Sequence, residues 1–584
     1  MTKRLWLVTA VAALLTLGAT IVLGPTVEAA SPAPLFAPRN KGIAATANAD
    51  ASRAAAELLK RGGNAIDGAV AAALALGVTQ PESSGLGGGG FAVVWLAREK
   101  RARVLDFREV APAAASRDMF LVDNRPEVAR SKWGGLAVAV PAEPAGLAEL
   151  ESRYGKLGLA AAAQPAIRLA RLGFAASRHL AASATPPAAG HGPPGYLPPP
   201  ALADDDPLRA LILPGGQPLV ERELVRRPEL ARTLEALAHK GAAGFYQGAV
   251  AQALVAAVRA RGGILTLEDL AAYRPLWRDA LGGGFRGHQL WGVPSPGGGL
   301  TAIEALQILD ARPSLGPLGR GSSAAHHAVL EALKHAFADR ARSLGDPAFV
   351  KVPEERLASV EYARELAARI RDDKVLKPEA YGDKTVVPPD APHDHGTSHL
   401  CVADGEGNVV AMTTTVNLLF GARMIGGASG VVLNDQMDDF SAQPGAPNAF
   451  GLIGAFANAI AAGKRPLSSM TPMIVTRDGA ALLCVGAAGG PTIISATVET
   501  IVNAIDFGLD VSAAVSAPRV HAQWMPDIAA VEPEVPRDVV QALEKRGHKV
   551  VPAESLAAVQ AVGLGPARLT AASDPRYGGA PAAP

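Results

Sequence analysis

The sequence predicts a layered fold of mixed helix and strand, α/β or α+β, on three observations. Runs of helical length that are apolar almost all round, such as NAIDGAVAAALALGV (64–78), read as buried helices. β-Prone runs such as GGGGFAVVWL (87–96) and RARVLDFREV (101–110) read as paired strands. The two kinds alternate irregularly, with no internal repeat, which favours stacked layers of sheet and helix.

Composition narrows the function. With 49% hydrophobic and 19% charged residues, the chain has the makeup of a globular protein, and disorder over most of its length is excluded. Its 584 residues suggest about two to four domains by length alone. A formal net charge of +1 leaves no basic footprint for nucleic acid. RNP, zinc-finger and heptad patterns are also absent. The expected partner is a small molecule or a protein, reached without strong charge steering.

Taken in chain order, Lys3 and Arg4 precede an apolar run from Leu5 to Leu23, followed by Pro25 and the small-residue step Val27-Glu28-Ala29. That order predicts a secretory signal over residues 1–30, with the body of the protein periplasmic or secreted. The run is long for such a segment, so an uncleaved membrane anchor stays open. Two helices follow, broken at Gly62-Gly63, with Asp50 or Ser52 as candidate caps for the first. Residues 141–180 and 226–260 read as helical. Between them the Pro- and Gly-rich stretch 184–207 reads as a surface loop. Residues 324–347 read as an amphipathic helix ended by Gly345. Beyond Thr397 short strands dominate, with helices near 495–516 and 537–547, and the tail after Arg576 is expected to be loose.

The two cysteines, Cys401 and Cys484, are too few for a disulfide framework. They can pair, but both sit in apolar, strand-like runs and are expected to be buried small hydrophobes.

The stretch HDHGTSHLCVADGEGNVVAMTTTVNLLFG (393–421) carries the chemistry. TSHLCVA and VVAMTTTVN are β-prone runs joined by DGEGN, a hairpin signal. If Ala403 faces Val409, Thr397 stands opposite Thr415, with Cβ atoms roughly 4.5–5.5 Å apart and the two hydroxyls within hydrogen-bonding reach. A threonine hydroxyl needs a base, and one solution is its own backbone amine when the threonine is N-terminal. An α-amino group titrates at about 7.7–8.0, suited to that task. The role requires the Gly396–Thr397 peptide to be cut. By itself, a Gly-Thr step opening a strand is an ordinary structural feature.

Further segments give it weight: SSGLGGGGF (83–91), LDFREVAP (105–112), LNDQMDDFSAQPG (433–445), KRPLSSMTP (464–472) and GAAGGPTII (486–494). In this order they resemble the γ-glutamyltransferase (γ-glutamyltranspeptidase) family, and the likeness runs from about residue 40 to Arg576. The resemblance implies a four-layer αββα N-terminal-nucleophile hydrolase sandwich. It implies one precursor that cuts itself into a large subunit (31–396) and a small catalytic subunit (397–584), intertwined as a heterodimer. Glutathione and other γ-glutamyl compounds would be substrates, with water, an amino acid or a dipeptide as acceptor and no cofactor.

By the same resemblance, Thr397 is cleavage residue and nucleophile, and Thr415 its hydrogen-bonding partner. Arg108 binds the substrate α-carboxylate with Ser468 and Ser469; its rigid, always-charged fork suits that task. Asn417, Gln436 and Asp439 surround the α-amine. Gly489 and Gly490 form the oxyanion hole, where two amides without side chains can approach closely. One departure stands out: Phe450, in the lid-like stretch 440–454, replaces a tyrosine whose hydroxyl would reach Asn417.

Taken singly, each motif has an ordinary reading. GGGG at 87–90 is a common turn without the Lys-Ser/Thr of a P-loop, and Arg108 alone would be an ion-pair residue. His393, His395 and His399 lack partners at metal-ligand spacing, so no metal is expected. Without a G-x-S-x-G elbow an α/β-hydrolase is disfavoured. Two rivals remain: an acylase cutting glutaryl side chains from β-lactams, and an exported non-catalytic γ-glutamyl-binding protein.

Overall fold

Side chains alternate along the strand Gly396–Ala403, sending Leu400 and Val402 to one face and Cys401 and Ala403 to the other, and every residue of the strand is buried. A strand buried on both faces must lie between two layers. In the computed structural model, which describes residues 34–185, 197–382, 396–443 and 445–584, it does.

Leu400 and Val402 join Val410, Met412, Val94 and Leu105 in a core shared with the helices Ala65–Thr79 and Leu159–Leu172. On the other face, Cys401, Ala403, Phe91 and Val93 meet Ile474, Cys484, Val562 and Ala571 of a second sheet. That second sheet turns Val475, Val485 and Ala561 outward, beneath the helices Gly299–Asp310, Ser323–Ser343 and Thr492–Ile505. The layers run helix, sheet, sheet, helix: the expected αββα sandwich.

The first sheet has six strands in the order Ile43–Thr46, Gly396–Ala403, Val409–Asn417, Gly89–Leu96, Arg101–Phe107 and Leu276–Asp279. The second has seven: Leu35–Pro38, Arg568–Ser573, Ala558–Leu564, Ala480–Ala488, Met473–Arg477, His288–Gly292 and Leu281–Phe285. Each sheet takes strands from both sides of residue 397. The several separate domains suggested by length are therefore not found; the described residues form one interleaved unit.

The hairpin pairs as expected, Ala403 with Val409 and Thr397 with Thr415, and the register shifts only between Gly396 and Thr397. The glycine run is half turn and half strand: the Gly88 amide donates back to the Gly85 carbonyl at 2.8 Å. Gly89 and Gly90 open a strand lying against Thr415 and Thr414.

Other details correct the sequence reading. The first helix, Ala49–Lys60, is capped by Asn48 and by neither Asp50 nor Ser52: the Asn48 side chain accepts from the Asp50 amide, while Ser52 is buried inside the helix. Helix Ser323–Ser343 is not amphipathic, because its His327, Lys334 and Arg340 are enclosed with its apolar residues between the sandwich and the 397–584 segment. The tail is not loose: Ala582 exchanges both backbone hydrogen bonds with Ala44, and Tyr577 stacks on His179 at 4.4 Å.

Cys401 and Cys484 are not separate buried thiols. They form a disulfide, with Cα atoms 5.9 Å apart. Alternation places each on the inner face of its own sheet, and sheet stacking brings the two together. The predicted signal (1–30), residues 186–196 of the Pro-rich stretch, His393 and His395 lie outside the described residues.

Candidate active site

The site is built where the ends of the central strands meet the loops that follow them. Thr397 opens its strand, and its Oγ1 lies 3.0 Å from Thr415 Oγ1 across the hairpin. Thr415 accepts from the Asn417 amide at 2.9 Å and donates to the Gly396 carbonyl. Its single proton is thereby committed, so Thr397 is the donor in the threonine pair. Gly396 has no room for a side chain. A Cβ there would stand 2.4 Å from the Leu418 carbonyl oxygen and 2.7 Å from that of Glu82. The residue before Thr397 is thus fixed as glycine by close packing.

Arg108 ends the strand Arg101–Phe107 and is fully buried. Its guanidinium donates to Asp439, to Glu109 Oε2 at 3.3 Å and to the Pro466 carbonyl at 3.1 Å. Gln436 Nε2 donates to the same Asp439 oxygen at 2.7 Å, and Gln436 Oε1 is a buried acceptor with no partner among the described residues. A cation for a carboxylate and an anion for an ammonium therefore stand side by side, the pattern needed for the zwitterionic end of an α-amino acid.

Asn417, held with φ +83°, donates to the Asp435 carbonyl at 3.2 Å. Ser468 Oγ accepts from the Met470 amide at 3.1 Å, and Ser469 Oγ accepts from Arg340 at 3.3 Å. Gly489 and Gly490 precede the helix Thr492–Ile505, whose amide dipoles favour negative charge at that end. Gly489 takes φ +142°, and a Cβ there would strike the backbone of Ala557 at 2.8 Å.

One small cavity collects Thr397, Thr415, Arg108, Asn417, Gln436, Asp439, Ser468, Ser469 and Gly490. Of the residues singled out from sequence for chemistry, only Gly396 and Gly489 fall outside its lining, and both adjoin it in the chain. Phe450 lines it too. The lid is fastened by residues that sequence reasoning overlooked: Asp438 accepts from the Ala449 amide at 2.9 Å, and Gln523 donates to the Phe450 carbonyl at 3.3 Å.

Sequence reasoning also missed Glu109, whose carboxyl is pushed up to about 7 by burial, a rise that Arg108 opposes. It missed Arg340 as well. Adjacency to Arg108 in DFRE could have flagged Glu109, whereas nothing in a helical pattern singles out one arginine. His399 is buried, accompanied by Thr413 Oγ1 at 2.8 Å, and burial holds it down to about 3, so it is neutral. It lies beside Cys401 and Cys484, but sulfurs joined to each other are not thiolate ligands.

The family profile of Gamma-glutamyltranspeptidase matches residues 51–583. The chain is 39% identical over 539 residues to the glutathione hydrolase proenzyme of Escherichia coli (strain K12), covering 92% of this chain and 90% of that protein. It is 38% identical to the glutathione hydrolase proenzyme of Pseudomonas sp. (strain A14), covering 94% and 95%. Among solved structures, the cephalosporin acylase from Bacillus halodurans matches with a TM-score of 0.79 at 29% identity, over 94% of this chain and 96% of its own. The Helicobacter pylori gamma-Glutamyltranspeptidase matches with a TM-score of 0.51 at 33% identity, over 57% of this chain and 93% of its own. Fold, site composition and sequence likeness extend together over most of the molecule: the chain belongs to the gamma-glutamyltranspeptidase family.

Proposed function

We propose that this protein is a self-cleaving γ-glutamyltransferase and glutathione hydrolase that works through a threonyl ester. The observation that carries the reading is the Thr397–Thr415 hydroxyl pair opening onto the same cavity as the Arg108–Asp439 ion pair. One supplies an acyl acceptor; the other supplies recognition of an amino-acid end.

Maturation comes first. Thr397 Oγ attacks the Gly396 carbonyl carbon, whose oxygen Thr415 already polarises, and the C–N bond breaks as the acyl group moves to oxygen. Water then hydrolyses that ester, leaving a large subunit of 31–396 and a small subunit of 397–584. The freed Thr397 amine now has a basic lone pair, which in the peptide was delocalised into the carbonyl.

Catalysis reuses the hydroxyl. Asp439, Gln436 and Asn417 hold the donor's α-ammonium, while Arg108, Ser468 and Ser469 hold its α-carboxylate. Thr397 Oγ attacks the γ-amide carbonyl, its proton passes to the amine, and the amides of Gly489 and Gly490 receive the oxyanion. The departing amine takes the proton, as cysteinylglycine would from glutathione. Water or an acceptor amine then releases the γ-glutamyl group. Phe450 covers the cavity without a hydroxyl, so closure rests on packing and on the backbone ties at Ala449 and Phe450. Residues 1–30 are proposed to direct export.

The acylase rival is disfavoured by Asp439, since a glutaryl group brings no ammonium to pair with it. The non-catalytic rival is disfavoured by the threonine pair. Intact-mass analysis tests the reading: wild type should give two chains, the smaller beginning Thr-Ser-His-Leu, and Thr397→Ala a single uncut chain without turnover of γ-glutamyl-p-nitroanilide. An uncut wild type with normal turnover would sink it.

A further inference from the structure

Arg108 is crowded with anions. Its guanidinium contacts both Asp439 and Glu109, and its Nε is spent on the Pro466 carbonyl. A substrate α-carboxylate would share that one cation with Asp439 and with Glu109, whose carboxyl, pushed up to about 7 by burial, is only partly ionised near neutral pH. Carboxylate recognition by Arg108 alone is therefore electrostatically poor.

A second guanidinium stands nearby. Arg340, on helix Ser323–Ser343, is 4% exposed. Burial pushes its pKa down to about 10, so it stays charged at neutral pH, and its charge interacts with both Asp439 and Arg108. Its Nη2 donates to Ser469 Oγ at 3.3 Å, and its Nε is buried without an acceptor among the described residues. A charged donor this deeply buried, with Asp439 shared with Arg108 and one N–H unsatisfied among the described residues, is costly unless a further acceptor completes it.

We propose that Arg340 is a positioning residue of the carboxylate subsite, acting through Ser469 as the second cation for the substrate's α-carboxylate. Arginine has no acceptor, so in this pair the serine oxygen must accept. Ser469 is then left with its proton to give, and the cavity it lines contains the acceptor to be recognised. The charges also balance by pairs. The ammonium answers Asp439, and the carboxylate is shared between Arg108 and a Ser469 hydroxyl polarised by Arg340. This rests on the γ-glutamyl reading above.

The test compares Arg340→Gln with wild type on two donors, after a denaturing gel confirms that the variant has been cut. One donor is γ-glutamyl-p-nitroanilide. The other is 4-aminobutanoyl-p-nitroanilide, which keeps the amine and lacks the carboxylate. The expected result is a rise in KM of at least about tenfold for the γ-glutamyl donor, with kcat changed by less than about threefold. The preference for the carboxylate-bearing donor, as a ratio of kcat/KM, should collapse by a similar factor. Arg340→Lys should keep part of that preference, and Ser469→Ala combined with Arg340→Gln should lose little more than either alone. An equal loss on both donors would mark a merely structural role and overturn the proposal, as would failure of both Arg340 variants to mature. If Arg108→Gln leaves the preference intact, the carboxylate subsite itself is misassigned and both readings fall; an effect at Arg108 with none at Arg340 removes this inference alone.

Discussion

Glu82 is buried beside Gly396. Burial pushes its carboxyl up to about 8, opposed by a backbone hydrogen bond and by Arg227. The folded protein therefore holds a proton on Glu82 that the unfolded chain gives up near 4.5. Stability from this group is complete below that value and is lost as pH rises toward about 8. Glu82→Gln should accordingly raise the melting temperature at pH 8 and leave it nearly unchanged near pH 4.5, as thermal unfolding at the two pH values would read. A stabilisation independent of pH would mean that the carboxyl's ionisation is not responsible. At this scale much was legible from sequence. The Gly-Thr step and the opposed threonine followed from hairpin register alone. Arg340 did not, because helix Ser323–Ser343 has polar and apolar residues buried together and offers no pattern that marks one side chain as special.

Single elements show where sequence patterning stops. Alternation correctly makes Gly396–Ala403 and Ala480–Ala488 strands, but it does not say which strand of the opposite sheet each will face. That is settled by sheet stacking, which sets Cys401 against Cys484 and bonds them. The bridge ties the strand bearing Thr397 to the strand leading into Gly489 and Gly490, and it closes a separation of 83 residues. Loop-closure entropy puts its contribution at about 4 kcal/mol. Both ends lie beyond Thr397, so the loop survives maturation. Replacing both cysteines with serine should lower the urea or thermal midpoint by a shift corresponding to that order, with a steeper unfolding slope because the unbridged denatured chain exposes more surface. Thiol titration of the unreduced, denatured wild type should find none free.

Over the whole molecule, cutting one peptide bond does not divide the structure. The six-stranded sheet inserts the hairpin Gly396–Asn417 between Ile43–Thr46 and Gly89–Leu96. The seven-stranded sheet pairs Leu35–Pro38 with Arg568–Ser573 and His288–Gly292 with Met473–Arg477. Separating the pieces would break four strand pairings, leaving an unpaired edge on each side of every one, and would open all three large cores at once. The matured protein should thus run as two bands on a denaturing gel and elute as one species in native size exclusion, parting only with global unfolding. Elution of a free small subunit in buffer would contradict this.

What the sequence by itself determined is local. Strand alternation, the hairpin register and the glycine before Thr397 are decided by neighbours in the chain, as is the order of motifs that marks the family. What only the tertiary structure decided is convergence: Arg108 beside Asp439, Arg340 behind Ser469, one cysteine against the other. Those contacts join segments far apart in the chain, and they depend on how two buried sheets stack and how helices close over them. Packing complementarity of that kind leaves no period in the sequence from which it could be read.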